Sequence, residues 1–146
     1  MLSILDEYYE AAGVVVRDSS RDIHDYLLGA GAFWLALCGG LAIGCVALRP
    51  LESVGAGICE VKRLYVRPDY RGEGIADRLY AALEGFARSA GFRWIYLDTT
   101  DGMRAAIRFY ERHGFVYCER YNENPQATLF MRKPLSLEVT PSDPIR

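Results

Sequence analysis

Residues 29–48 read GAGAFWLALCGGLAIGCVAL, a run without a charged residue, Asn, Gln or Pro. By length it could cross a bilayer, since a spanning helix needs about 20 mostly apolar residues. Its composition points elsewhere. Five glycines fall within the run, and each weakens a helix by ~1 kcal/mol relative to Ala. Asp25 stands before it and Arg49-Pro50 after it, without the aromatic and basic belts that mark both ends of a span. Gly39-Gly40 divides it into two β-prone halves, AFWLALC and LAIGCVAL, which is the pattern of a hairpin. Two buried strands are expected, with RPLESVGAG following as a loop.

The elements outward from this hairpin follow from periodicity. Upstream, residues 3–12 carry Ile4, Leu5, Tyr8, Ala11 and Ala12 at helical spacing, and a short helix is expected over about 20–28, ending at Gly29. Downstream, ICEVKRLYV (58–66) reads as a strand and RPDYRGEG as a loop. Residues 73–90 form the clearest helix, with Ile75, Leu79, Leu83, Phe86 and Ala90 on one stripe and Asp77, Arg78, Glu84 and Arg88 outside. Gly91 supplies its stop. RWIYLDT (93–99) is a strand, 102–113 a helix ending at Gly114, and 115–121 and 127–133 two further strands around NENPQ. The tail 134–146 holds three prolines and is expected to be extended or loose. The mixture implies one α/β (α+β) domain over 1–146, a central sheet flanked by helices.

Composition narrows the function classes. The chain is 51% hydrophobic and 25% charged with a formal net charge of -2. There is no global basic field to draw nucleic acid or anionic lipid. Of the 17 basic residues only Lys62 and Lys133 are lysine; arginine suits bidentate phosphate and carboxylate contacts. Cys38, Cys45, Cys59 and Cys118 form no CxxC pair, and His24 and His113 lie far from them. No metal site is expected. Cys38, Cys45 and Cys59 read as buried free thiols, and a reducing cytoplasmic compartment is expected. The N-terminal MLSILDEYYE is acidic early and has no basic n-region, so it is not a signal peptide.

The chemistry concentrates in a strand, then RPDYRGEGIADRL, then the long helix. A glycine turn that opens a helix aims backbone N–H groups and the positive dipole end at one spot, which favours an anion. Gly72 and Gly74 allow close approach, and Arg71 adds a fork for phosphate. Neither the P-loop nor the dinucleotide fingerprint is matched. A tight turn with no ligand is the competing explanation.

The stretch Glu60–Gly114 resembles the GNAT superfamily of acetyl-CoA-dependent N-acetyltransferases. The resemblance rests on two motifs, Arg71-Gly-Glu-Gly74-Ile-Ala76 and Ala106-Ile-Arg-Phe-Tyr110-Glu-Arg-His-Gly114-Phe115. It covers the chain from about Gly44 to Lys133. It implies a mixed sheet with a bulged central strand splayed from its neighbour. It also implies that Gly72, Glu73, Gly74, Ile75 and Ala76 hold the coenzyme A pyrophosphate, with Arg71 beside them. Leu64, Tyr65 and Val66 would pair through their backbone with the pantetheine arm, and one N–H there would polarise the thioester carbonyl. Tyr110 would protonate the departing thiolate; the alternative is a core tyrosine.

For the base, Glu60 is one candidate. A charged residue in a central strand is either functional or paired, and Lys62 shares its face. Asp98 is a second candidate, or a turn or cap residue. Tyr65 either orients the acceptor or packs. YNENP (121–125) lies where the resemblance puts the acceptor side; it offers polar groups to a small molecule or simply turns before Pro125. Two departures stand out: Met103 replaces an Asn frequent in the family, and the strand that usually precedes the first helix is expected to be short, missing or replaced.

The expected activity is acetyl transfer from acetyl-CoA, the cosubstrate, to an amine acceptor in a ternary complex, with a small-molecule or peptide acceptor and no nucleic-acid or membrane partner. A non-catalytic acyl-CoA-binding module is the alternative. The exposed sheet edge allows a homodimer.

Overall fold

A computed structural model describes residues 31–135 together with Ile4. The helices expected at 3–12 and 20–28, Ile4 apart, and the tail beyond Leu135 lie outside the described residues.

The apolar run folds as a hairpin. Strand β1 (Ala32–Cys38) pairs antiparallel with β2 (Leu41–Pro50). The turn between them holds Gly39 at φ 58° and Gly40 at φ 84°, left-handed values that a two-residue hairpin of primed type requires. Residues 42–48 of β2 are all buried, as expected, but β1 is not a buried strand: at the end of the strand order it is half-buried to exposed throughout, with Leu37 62% exposed. Among the described residues no helix is long and apolar enough to cross a membrane. Cys38 departs from expectation: it is exposed at the turn, whereas Cys45 and Cys59 are buried.

Strand β3 (Ile58–Val66) is followed by a 3-10 turn at Pro68–Tyr70 and helix α1 (Ile75–Ser89). The buried face of α1 is Leu79, Tyr80, Leu83 and Ala87. Phe86 and Ala90, expected on that stripe, are exposed. An i, i+4, i+8 row from Leu79 already covers the sheet, and Phe86 instead meets Trp34 of β1 edge-on, with ring centroids 5.4 Å apart. Gly91, at φ 90°, stops the helix as Phe92 N–H donates to the Ala87 carbonyl.

Strand β4 (Trp94–Thr99), helix α2 (Arg104–Arg112), and strands β5 (Val116–Tyr117) and β6 (Leu129–Pro134) complete the domain. The sheet order is β1-β2-β3-β4-β6-β5. Only the β3–β4 pairing is parallel. Helices α1 and α2 cover one face, where Val46, Leu48, Val61, Leu83, Ile95, Leu97, Phe109 and Met131 form the main core. The other face carries a small cluster of Ile4, Ala42 and Cys45 beside the polar residues of the site. The strand expected over 115–121 is only two residues long. Beyond Cys118 the ladder gives way to side-chain bonding: Arg120 donates to the carbonyls of Asn122, Asn124 and Ala127 at 3.3, 3.2 and 3.0 Å.

Gly44 in β2 sits where α1 crosses the sheet. A Cβ there would lie 3.0 Å from Leu79 Cδ1, 3.3 Å from Ile75 Cγ2 and 3.2 Å from the Tyr65 carbonyl oxygen. The carbonyl belongs to β3 and cannot swing aside. Gly44→Ala is expected to cost about 1–3 kcal/mol of stability through overpacking, measured by denaturant unfolding. An unchanged midpoint would show that α1 can lift without cost.

Candidate active site

The site begins where two strands part. β4 pairs with β3 only at Ile58↔Trp94, Cys59↔Ile95 and Glu60↔Tyr96. From Val61 onward β3 continues without it. On the other side the β2 register runs Ala47↔Lys62, then Cys45↔Tyr65. Two steps along β2 match three along β3, so one extra residue lies at Arg63-Leu64, a β-bulge. Arg63 takes φ 61°, an uncommon conformation for a residue with a Cβ. Its carbonyl accepts a hydrogen bond from the Cys45 thiol, with Sγ 3.2 Å from the oxygen. Burial pushes that thiol up to about 12, despite the opposing charge of Arg63, so it keeps its proton and remains a donor. The side chains of Leu64 and Tyr65 divide between the two faces: Leu64 packs on the main core and Tyr65 on the small cluster. Val66 is buried.

The glycine turn lies at the end of this strand. Gly72 has φ 83° and Gly74 φ 81°, and a Cβ at either would meet nothing within 4 Å. Both face open space, so room exists for a ligand against the backbone. Gly74 caps α1 without a side-chain hydrogen bond. The first amides of α1 therefore have no side-chain oxygen from their own cap. Gly72, Glu73 and Gly74 are exposed, and Ile75 and Ala76 half-buried. Arg71 folds back over β3: its Nε donates to the Val66 carbonyl at 2.8 Å and its guanidinium sits 5.2 Å above the Tyr65 ring. Asp77, an anion in the first turn of α1, is turned toward α2, where His113 Nε2 lies 2.7 Å and Arg112 3.4 Å from Oδ1.

A polar network crosses the parting strands on the face away from α1. Glu60 is fully buried. Arg49 Nε donates to its Oε1 at 2.9 Å, and the Tyr121 hydroxyl donates to Oε2 at 2.5 Å. Lys62 Nζ lies 3.4 Å from Oε2 and closer, 2.6 Å, to Asp98 Oδ1. Asn122 and Asn124 donate their amides to Asp98 Oδ2 at 2.7 and 3.2 Å. The Glu60–Lys62 pair expected from their shared face is thus present within a wider network. Asp98 neither caps a helix nor makes a turn; it anchors Lys62 and the 121–125 segment. That segment also makes the expected turn, since Asn124 N–H bonds the Asn122 side chain and Gln126 N–H the Asn124 side chain.

Asp98 has a depressed pKa. Burial acts to raise it, but the Lys62 charge and the hydrogen bonds from Lys62, Asn122 and Asn124 outweigh burial. A folded value below the unfolded one means stability that is present above the ordinary aspartate range and lost as pH falls through the folded value. Asp98→Asn is therefore expected to cost on the order of 2 kcal/mol at neutral pH. The deficit should vanish in strong acid, as followed by urea unfolding across pH. A deficit independent of pH would assign the loss to packing.

Tyr110 of α2 is buried in the main core with Val61, Val66 and Leu97. Its helix packs on the face of the sheet opposite Glu60. Met103, in place of the frequent Asn, stands at the start of α2 without a side-chain capping bond. Two partners were not legible in advance. Arg49 meets Glu60 only through the β2–β3 register, which pairs them directly, and the Tyr121–Glu60 bond spans 61 positions. Among the described residues no group of three His, Cys, Asp or Glu is placed to hold a metal ion.

The acetyltransferase (GNAT) family model matches residues 1–115. An uncharacterized N-acetyltransferase of Schizosaccharomyces pombe is 39% identical over 98 residues, 66% of this chain and 59% of that protein. Another, from Escherichia coli, is 34% identical over 109 residues, 73% of this chain and 65% of that protein. The matched region thus spans about three fifths of these relatives. A GNAT-family acetyltransferase structure from Staphylococcus aureus superposes with a TM-score of 0.79 at 22% identity, covering 91% of this chain and 89% of that one; it shares the fold.

Proposed function

The chain belongs to the acetyltransferase (GNAT) family, and we propose that it moves an acetyl group from acetyl-CoA to an amine by direct attack within a ternary complex. One observation carries the reading most: β3 is bulged and parted from β4 immediately before a glycine turn that opens a helix. An extended pantetheine arm fits along Leu64, Tyr65 and Val66, where β4 no longer pairs with β3. A pyrophosphate fits the amides of Gly72 to Ala76, with Arg71 beside them; the Arg71 Nε is engaged by Val66, so its terminal nitrogens are the ones to offer.

In this reading Glu60 is the base that receives the ammonium proton, and Tyr110 is the acid that protonates the thiolate. Asp98 is the weaker candidate, because the Lys62 charge and the hydrogen bonds from Lys62, Asn122 and Asn124 lower its pKa and with it its basicity. A covalent acyl-enzyme is not part of the scheme. Burial, aided at Cys59 by the neighbouring Glu60 charge, pushes both Cys45 and Cys59 up to about 12, far from the thiolate that nucleophilic attack needs. The proposal includes a small-molecule or peptide acceptor, a cytoplasmic location, and a homodimer if a second copy covers the outer edge of β1.

The test is to mix the protein with acetyl-CoA and a panel of amines and follow free thiol. Thiol release that depends on an amine is the expected result. Acetyl-CoA binding without thiol release for every amine would favour the non-catalytic acyl-CoA module instead.

A further inference from the structure

Glu60 is fully buried, so its carboxylate does not meet an acceptor directly. Its neighbours must carry the proton. From β2, Arg49 Nε lies 2.9 Å from Oε1; from β3, Lys62 Nζ lies 3.4 Å from Oε2; and the Tyr121 hydroxyl donates to Oε2 at 2.5 Å. On β4, Tyr96 is the register partner of Glu60. A guanidinium and an ammonium only donate; they have no lone pair to accept a proton. Of the three groups bonded to the carboxylate, the Tyr121 hydroxyl alone both donates and accepts. Whereas Glu60 is fully buried, Tyr121 as a whole residue is only half-buried. Its ring is fixed edge-on against Tyr96 and Phe130, with centroids 5.1 and 5.3 Å away.

We propose that the Tyr121 hydroxyl relays the acceptor's proton to Glu60. The inference rests on the reading of Glu60 as the base. The step balances without another reactant. The ammonium N–H bond breaks as an O–H bond forms at the Tyr121 oxygen. The original Tyr121 O–H breaks as its proton passes to Glu60 Oε2. The products are a neutral amine, an intact phenol and a protonated Glu60, whose proton returns to solvent before the next cycle. Burial first, and then the Glu60 charge, raises the Tyr121 phenol well above its ordinary range. The two transfers must therefore be concerted, with no free phenolate between them.

The test uses the full chain, acetyl-CoA, and benzylamine, glycinamide and spermidine as probe amines. Tyr121→Phe keeps the ring and removes the relay. Acetyl-CoA affinity, measured by calorimetry, should not change, which also shows that the variant folds. With an amine the parent acetylates, kcat/KM should fall at least about tenfold at neutral pH. The deficit should close as pH rises toward the amine's own pKa, where the amine arrives already neutral. An unchanged rate at neutral pH, or a deficit equal at every pH, would overturn the relay and leave Tyr121 a packing residue. Thiol release from the parent protein reports separately on the transferase reading: its absence with all three amines removes base and relay together.

Discussion

Tyr110→Phe is expected to lower kcat by about 10²-fold or more while leaving acetyl-CoA affinity intact. The reason lies in what the substitution keeps. Tyr110 is 7% exposed and packs edge-on against Phe109 and Phe115, with centroids 5.3 and 5.2 Å away. Phenylalanine retains those ring contacts, so a loss of turnover reports on the hydroxyl. If Tyr110 protonates the departing thiolate, removing it leaves that charge to develop against the apolar core that buries Tyr110, where it is poorly solvated. Steady-state rates across neutral and acidic pH check the prediction. A turnover number equal to that of the parent at every pH would remove Tyr110 from the acid role.

Glu60→Ala is expected to have the second large effect, on both stability and rate. The carboxylate is the counter-charge for Arg49 and shares Lys62 with Asp98. Deleting one member of a buried ion pair typically costs about 3–5 kcal/mol, because the partner is left uncompensated. Here the cost should fall near the lower end. Arg49 is half exposed and can turn to water, and Lys62 keeps its 2.6 Å contact with Asp98. Glu60→Gln keeps the shape and an oxygen for Tyr121, so it should be the more stable variant. It should still lose about 10²-fold in kcat, since an amide is no base at neutral pH. Urea unfolding and thiol-release kinetics separate the two consequences. A Gln variant with full activity would make Glu60 a structural ion pair only.

Much of this arrangement could be read from local signals. Gly39-Gly40 announced the hairpin because only a left-handed turn joins two such strands tightly. The RGEGIA and AIRFYERHGF segments carried the turn and the second helix, since both depend on contiguous residues. What escaped the sequence depends on register and on tertiary competition. The Arg49–Glu60 contact follows from which residues of β2 and β3 face each other, and the bulge at Arg63 shifts that register midway. Asp98 invited a cap or turn reading because its place at the end of β4 is visible, whereas Lys62 and the two asparagines that hold it come from distant positions. The strand expected at 115–121 stopped early because Arg120 bonds the carbonyls of the following loop, a rival to the ladder that composition does not reveal. Phe86 left its stripe for Trp34, a partner 52 positions away on the sheet edge.

The bulge also has a bearing on the lifetime of the protein. Arg63 holds its unfavourable backbone angle while its carbonyl accepts the hydrogen bond of the Cys45 thiol. The parting of β3 from β4 is thus tied to contacts within the chain itself. Under the transferase reading, the free energy of docking would then appear as resistance to unfolding, about 2.7 kcal/mol when coenzyme stands at 100 times its dissociation constant. Survival of the fold in a cell would track the supply of acetyl-CoA. Scarcity would leave the chain more open to proteolysis, and plenty would protect it.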